Sequence, residues 1–213
     1  MSKTPLKVMI AGIGGASLGT EIAKSLTLAE NCRLFGCDIS STAYGLYDDQ
    51  FETTFLVDRD DYIASVIAAC HEAGSNFLLP GGEQPMQLLG QAQSALEENG
   101  ISLVANSTGI VELFSDKAET FAALARHDVP VPRTRVVRSE EDVAAVGLPC
   151  IVKPATGSGG SVSVFFAVTA EEAMIYADFI RRGDSEPIAQ EYIGIDEGEF
   201  TIGVLSLPDG TVA

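Results

Sequence analysis

An almost unbroken apolar run, Leu6–Ala11 (LKVMIA), leads straight into Gly12-Ile13-Gly14-Gly15-Ala16-Ser17-Leu18-Gly19. A strand with one face in water alternates apolar and polar residues. A run that is apolar almost throughout fits a strand buried on both faces, as in parallel sheets. The glycines let the backbone turn sharply, and residues 16–27 follow with Leu18, Ile22 and Leu26 on one side of a helix. The same alternation continues. Residues 33–37 read as a strand ending at Asp38, and residues 55–57 as another. Residues 60–73 read as a helix with Asp60 or Asp61 as its cap and Gly74 as its stop. A strand at 76–80 runs into Gly81 and Gly82, a helix at 84–99 stops at Gly100, and a strand follows at 101–104. Strands alternating with helices of this length predict a parallel α/β sheet.

The pattern then changes. Residues 115–127 predict a helix capped by Ser115 or Asp116, which Pro130 and Pro132 separate from a strand at 134–137. Ser139 and Asp142 have the spacing of a capping box for a short helix at 139–146. A strand at 150–153 enters a glycine-rich stretch at 157–160, and a VSVFFAV strand covers 162–168. A helix at 169–182 starts at Thr169, with Glu171 and Glu172 in its first turn. Residues 188–193 and 200–207 read as strands, and Pro208-Asp209-Gly210 as a hairpin turn. The last residue, Ala213, falls inside the return strand of that hairpin, so the natural chain is expected to continue.

Charge and cysteine usage exclude several function classes. The 213 residues suit one large domain or two small ones. Thirteen basic residues against thirty acidic ones give a net charge of −17, a field that repels nucleic acid and anionic membrane surfaces alike. No run of eighteen apolar residues predicts a membrane span, and the first seven residues lack a cleavable signal pattern. Cys32, Cys37, Cys70 and Cys150 form neither a CxxC pair nor a zinc spacing. Free thiols in a reducing cytoplasm fit them.

The first glycine loop admits three readings. Asp38 at the end of the second strand stands where a dinucleotide-binding protein places its ribose-binding acid. However, GxGxxG would require glycine where Ser17 stands. The loop also works as a tight strand-to-helix turn, or as part of a site for another small ligand at the strand ends. His71 and His127 lie in predicted helices and read as ordinary surface residues.

The second loop is more specific: Leu148-Pro149-Cys150-Ile151-Val152-Lys153-Pro154-Ala155-Thr156-Gly157-Ser158-Gly159-Gly160-Ser161. A lysine at a strand end supplies a point charge for phosphate, and a glycine-rich loop can fold its N–H groups around further phosphate oxygens. No Gly-Lys-Ser/Thr ends it, so it is not a Walker A loop. Taken alone, Lys153 reads better as a solvated strand-end lysine. Three further features stand in order with it: Ser115-Asp116-Lys117 upstream, Gln190-Glu191-Tyr192-Ile193 downstream, and Glu199-Phe200-Thr201 after a short loop.

This ordered set resembles the ATP-grasp superfamily, and within it the carbamoyl-phosphate-synthetase-like group. GIGGASLG, FGCDIS and STAYGLYDD resemble that group's pre-ATP-grasp domain. The resemblance implies an α/β fold in three parts. These are a Rossmann-like pre-ATP-grasp domain at 1–112, an ATP-grasp lid subdomain with its glycine-rich loop at 113–188, and the start of a catalytic subdomain at 189–213. It implies ATP as ligand, with Lys117 and Lys153 at the phosphates and Gly157, Ser158, Gly159, Gly160 and Ser161 as the loop that closes over them. The Glu191 carbonyl and the Ile193 N–H would meet the adenine, and Glu199 the ribose hydroxyls. Magnesium ligands and catalytic residues are expected beyond Ala213, so no metal ligand is assigned within the chain and no turnover is expected from it alone.

The function implied is an ATP-dependent carboxylate–amine or ammonia ligase working through an acyl phosphate, cytoplasmic and, like many of the family, a homodimer. The loop Pro80-Gly81-Gly82-Glu83-Gln84, together with Gly14 and Gly15, is the candidate contact with the acceptor substrate. Ligands of open α/β sheets sit beyond the strands' carboxyl ends. An ordinary turn with Glu83 at a helix N-terminus explains the same residues. A non-catalytic nucleotide-binding module and an NAD-linked oxidoreductase are the alternatives.

Overall fold

The computed structural model describes residues 4–14, 18–156, 162–194, 198, 200, 202–207 and 209–212. The chain divides into two units, Met1–Leu113 and Phe114–Ala213.

In the first unit β1 (Leu6–Ala11), β2 (Cys32–Asp38), β3 (Thr53–Leu56), β4 (Phe77–Pro80) and β5 (Ser102–Leu103) form one sheet in the order β3-β2-β1-β4-β5, parallel throughout. Between them run α1 (Leu18–Leu28), α2 (Tyr62–Ala73), α3 (Glu83–Gln91) and α4 (Gln93–Glu98). The apolar β1 run is explained by its neighbours. Val8 and Ile10 pack on one face with Leu34, Ala23 and Phe51, while Met9 and Ala11 pack on the other with Phe35, Leu78, Val66 and Leu89. Both faces are dry, so no polar alternation survives.

The chain moves from β1 outward to β3, then crosses back to place β4 on the other side of β1. The strand order therefore reverses between β1 and β4, a point at which open α/β sheets leave a crevice beyond their carboxyl ends. Three glycine backbones meet there. A Cβ on Gly19 would lie 2.1 Å from the Gly12 carbonyl oxygen, and one on Gly81 only 2.0 Å from it. The Gly19 N–H donates to the Gly81 carbonyl at 3.0 Å, and the Gly81 N–H to the Ala11 carbonyl at 2.7 Å. Gly12 itself has φ +97°, a conformation open to glycine.

The second unit holds β6 (Thr134–Val136), β7 (Cys150–Pro154), β8 (Phe165–Ala167) and β9 (Pro187–Glu191) in an antiparallel sheet of order β6-β9-β7-β8. Its helices are α6 (Lys117–Arg126), α7 (Glu140–Val146) and α8 (Ala170–Arg182), with α5 (Thr108–Ser115) lying across the boundary between the units. Cys150, Val152, Ala167 and Ala189 on one sheet face pack with Val143, Val146, Ala173, Ala177 and Ile180 of α7 and α8. Strand alternation sends Ile151 and Lys153 to the opposite face. Capping boxes close the starts of α7, through Ser139 and Asp142, and of α8, through Thr169 and Glu172.

Four expectations need correction. The single helix read over 84–99 is two: Ala92 leaves helical geometry at φ −100° and ψ 16°, and the Thr108 hydroxyl donates to the Gly90 carbonyl at the break. The break still leaves Leu89 and Leu96 fully buried. The α5 helix escaped the reading because Gly109 and three β-branched residues blur its propensity. The strand read over 162–168 is shortened to β8. No strand forms over the described residues of 200–207; Phe200 and Ile202 are 84% and 80% exposed, and a single bridge joins Ser206 to Val212. A run of this kind becomes a strand through ladder bonds to a neighbour, and the described residues offer 202–205 none. Pro208 of the expected turn lies outside the described residues; on either side of it the Leu207 N–H donates to the Thr211 carbonyl at 2.8 Å.

The glycine contact gives a direct test. Gly81→Ala should cost about 2–3 kcal/mol by overpacking, because the opposing atom is backbone and cannot rotate away. Gly109→Ala, in a helix with open space around it, should be neutral or stabilising. Urea unfolding of the two variants checks this, and similar midpoints would refute the packing account.

Candidate functional site

At the strand order's reversal the first unit has a cleft of about 570 Å³, lined in part by Gly12, Gly14, Asp38, Gly81 and Glu83. It lies beyond the carboxyl ends of β1, β2 and β4. Asp38, only 9% exposed, organises the surrounding loops: Oδ2 accepts from the Ile13 N–H and Oδ1 from the Ser40 N–H, each at 2.9 Å. Gly14 is close-packed against this carboxylate, with a Cβ there coming within 3.3 Å of Oδ2. The acid that an NAD-linked reading would assign to a ribose thus already accepts two backbone bonds, and that reading loses its main support. Glu83 sits in the first turn of α3, where the helix dipole favours a carboxylate, and faces the cleft. Gly15 lies outside the described residues.

The cleft also contains residues that the sequence reading passed over: Arg59, on the loop after β3, and Tyr62, at the start of α2. A strand-end rule applied to β3 as well as to β1 and β4 would have found Arg59. Burial pushes the Tyr62 phenol well above its usual range, with Cys37 and Asp38 adding to the effect, so it remains an O–H donor. Neither side chain has a hydrogen-bond or ion-pair partner among the described residues.

In the second unit Lys153 is the focus. Its ammonium donates to Gln190 Oε1 at 2.7 Å, and Gln190 Nε2 donates to Thr134 Oγ1 at 3.1 Å. Thr134 Oγ1 in turn donates to the Pro132 carbonyl at 3.0 Å. This chain of bonds crosses β7, β9 and β6 on the face turned away from α7 and α8. The ammonium also lies 5.9 Å from the centre of the Phe121 ring. Desolvation by burial lowers the Lys153 pKa, and the nearby charge of Lys117 lowers it further. Lys117 is anchored where α6 begins, its N–H donating to the Ala155 carbonyl at 3.0 Å and Asp116 capping the helix through the Glu119 N–H. Neither lysine has a carboxylate partner among the described residues. Two neighbouring cations with no counter-charge suit a polyanion.

Glu191 ends β9. Its carboxylate takes both the Nε and a terminal nitrogen of Arg133, at 3.1 and 2.9 Å, and the Arg133 N–H besides. The Glu191 N–H donates back to the Arg133 carbonyl at 2.8 Å. The side chain that sequence alone would leave as a strand-end carboxylate is therefore an anchor for the end of the strand, and the Arg133 guanidinium holds its carboxyl below the usual range. Arg133 is 58 positions away, so no local spacing announces it. Ile193 follows two residues later, half exposed, and its N–H has no acceptor among the described residues. Gly157, Ser158, Gly159, Gly160, Ser161 and Glu199 lie outside the described residues. Among the described residues no three His, Cys, Asp or Glu side chains stand together in a group that could hold a metal ion, and no helix is long and apolar enough to cross a membrane.

Comparison with known proteins bears on this geometry. The family described as the ATP-grasp domain matches residues 114–206. The D-alanine–D-alanine ligase of Laribacter hongkongensis (strain HLHK9) is 32% identical over 121 residues, which are 54% of this chain and 38% of the ligase. The carbamoyl phosphate synthase large chain of Xanthomonas axonopodis pv. citri (strain 306) is 21% identical over 136 residues, 62% of this chain and 12% of that protein. Among solved structures, the biotin carboxylase domain of Hydrogenobacter thermophilus 2-oxoglutarate carboxylase superposes with a TM-score of 0.65 at 18% identity. The match covers 90% of this chain and 45% of that one, which was crystallised with MgADP, ADP and bicarbonate. At that identity the likeness is one of fold. The chain spans less than half the length of each of these relatives.

The lowered Lys153 pKa fixes a pH dependence. The unfolded lysine holds its proton up to about the ordinary lysine value of 10.5, whereas the folded one loses it earlier. Between the two pKa values the unfolded state binds more protons, so stability rises with pH there. Relative to a Lys153→Met variant, the wild-type chain should gain stability as pH rises toward 10.5. Urea unfolding across that range measures it, and a pH-independent difference would rule out desolvation at this site.

Proposed function

Because residues 114–206 match the family described as the ATP-grasp domain, we propose that this chain is the nucleotide-capturing part of an ATP-dependent carboxylate–amine ligase. The observation that carries the reading is the pair of lysines, Lys153 and Lys117, close enough to depress a pKa and unmatched by any described carboxylate. A triphosphate fits that pair. Lys153, aimed by Gln190, would hold its inner phosphates, and Lys117 would reach them from the start of α6. The stretch 157–161 would fold over them. The Glu191 carbonyl and the Ile193 N–H would meet the adenine edge, on a strand end fixed by Arg133, and Glu199 would take the ribose.

In this reading the chemistry is transfer of the γ-phosphoryl group to a carboxylate, forming an acyl phosphate that an amine or ammonia then attacks. The contribution of these residues is positioning and charge neutralisation. Magnesium, when bound, would supply charge neutralisation at the phosphates, and no described group of carboxylates is assigned to hold it. We assign nucleotide capture to these 213 residues, and the complete ligase reaction to a protein of the relatives' full length. The cleft carrying Gly14 and Glu83 would receive the second substrate. A cytoplasmic location and a homodimer complete the proposal, the latter because the Hydrogenobacter thermophilus biotin carboxylase domain was crystallised as a dimer.

The test is ATP binding. Mg-ATP should raise the thermal unfolding midpoint of the chain, and NAD should not. Lys153→Ala and Lys117→Ala should each weaken ATP binding by about 10- to 100-fold, as expected for a charge-assisted bond worth ~1.5–3 kcal/mol. Affinity unchanged in both variants would overturn the assignment.

A further inference from the structure

The cleft of the first unit carries more chemical information than its position. Asp38 is committed to the Ile13 and Ser40 N–H groups. Four polar side chains remain with no partner among the described residues: the Arg59 guanidinium, the Glu83 carboxylate, the Tyr62 phenol and the neutral Gln84 amide. Beside them Ile39, Pro85 and Leu88 supply an apolar wall, and Leu88 is 39% exposed although it lines a concavity.

The charges decide between ligand classes. Asp38 and Glu83 against Arg59 leave the lining one negative charge in excess, and Glu83 occupies the helix N-terminal position where an anion would otherwise gain from the α3 dipole. A phosphate or a dicarboxylate would therefore meet one cation and two carboxylates. A simple amine would meet Arg59 unpaired. A molecule with one carboxylate and one ammonium satisfies both unpaired groups at once, the first through a bidentate pair with the guanidinium and the second on Glu83. The phenol adds one donor. The remaining volume is apolar, so the rest of the ligand is a hydrocarbon-like side chain.

We infer that this cleft binds a free α-amino acid with an apolar side chain, its carboxylate on Arg59 and its ammonium on Glu83. The inference rests on reading the chain as part of a carboxylate–amine ligase, for which an amino acid supplies one of the two groups to be joined. It goes further by naming the substrate class and two residues that select it. Both charged residues are exposed at the rim, so each contributes a screened, moderate share of affinity.

The experiment compares L-leucine, L-methionine and L-phenylalanine with their halves on the 213-residue chain by calorimetry. For leucine these are 4-methylpentanoate, which lacks the ammonium, and isopentylamine, which lacks the carboxylate. At least one amino acid should bind about tenfold or more tightly than either of its halves. Arg59→Met should then bind the amino acid no better than the amine half, and Glu83→Gln no better than the acid half. Both residues are exposed, so the variants should keep the wild-type unfolding midpoint. Leu88→Arg, which blocks the apolar wall, should abolish binding. Failure of all three amino acids to bind, equal binding of a half-molecule, or unchanged discrimination in folded Arg59 and Glu83 variants each overturns the inference. ATP titrated alongside separates the two levels: lost amino-acid binding with Lys153-dependent ATP binding intact overturns only the cleft assignment, whereas absence of that ATP binding overturns the ligase reading itself.

Discussion

The carbonyl of Gly12 stands against two other backbones with no side chain between them, and the first unit is organised around that contact. Gly19 brings the start of α1 onto it, and Gly81 brings the end of β4. Any side chain at either position would force the helix or the strand outward. The contact lies where the strand order reverses, so the same closeness that packs the sheet also sets the floor of the crevice. Asp38 completes the arrangement by holding the loops after β1 and β2 with its two oxygens. Packing and site geometry are here one constraint. This is also why a glycine-rich loop after a first strand is ambiguous in sequence: the glycines are required by the fold whatever the crevice binds.

The second unit solves a different problem with an antiparallel sheet. One face is dry and aliphatic against α7 and α8, so residues one step out of phase are turned away from that core. Lys153 is such a residue, and it is the alternation of β7 that delivers its ammonium to a surface formed with α6. Gln190 of the neighbouring strand is diagonal to it and shares its face, so a single amide ties the lysine to Thr134 two strands away. The lysine is thus aimed through the sheet's register. Arg133 and Glu191 perform a similar service at the strand ends, joining β6 to the segment that leads toward Ile193.

Much of this was legible in sequence because local chemistry dictated it. The bounds of β1 follow from its apolar run, the end of α2 from Gly74 in the left-handed conformation, and the starts of α7 and α8 from their capping boxes. What the sequence concealed depends on tertiary partners. The division of the 84–99 helix depends on a hydroxyl from Thr108. The lack of a strand at 202–205 depends on neighbours. Arg133 has no meaning until Glu191 is folded against it, and Arg59 and Tyr62 gain theirs only when the strand ends converge. Lys153 illustrates the boundary: its residue type and the glycines after it could be read directly, but its desolvation and its proximity to Lys117 could not.

That desolvation would also reconcile a net charge of −17 with the anionic ligand proposed above. Screening confines the influence of distant surface carboxylates to about 8–10 Å at physiological ionic strength, so the local inventory decides what binds. Around Lys153 that inventory is an amide, an aromatic ring and a second lysine, with no described carboxylate paired to either cation. Holding a cation half out of water beside another cation is unfavourable in the free chain, and the depressed pKa is its signature. A carboxylate partner would relieve the strain permanently and quench the site. A bound phosphate, as proposed, would relieve it only while bound, so part of the interaction energy would be reserved for the ligand instead of for folding. The acidic remainder of the surface then acts as a filter. It would discourage nucleic acid, whose many phosphates would have to face the whole field, while the proposed nucleotide would need only the two lysines.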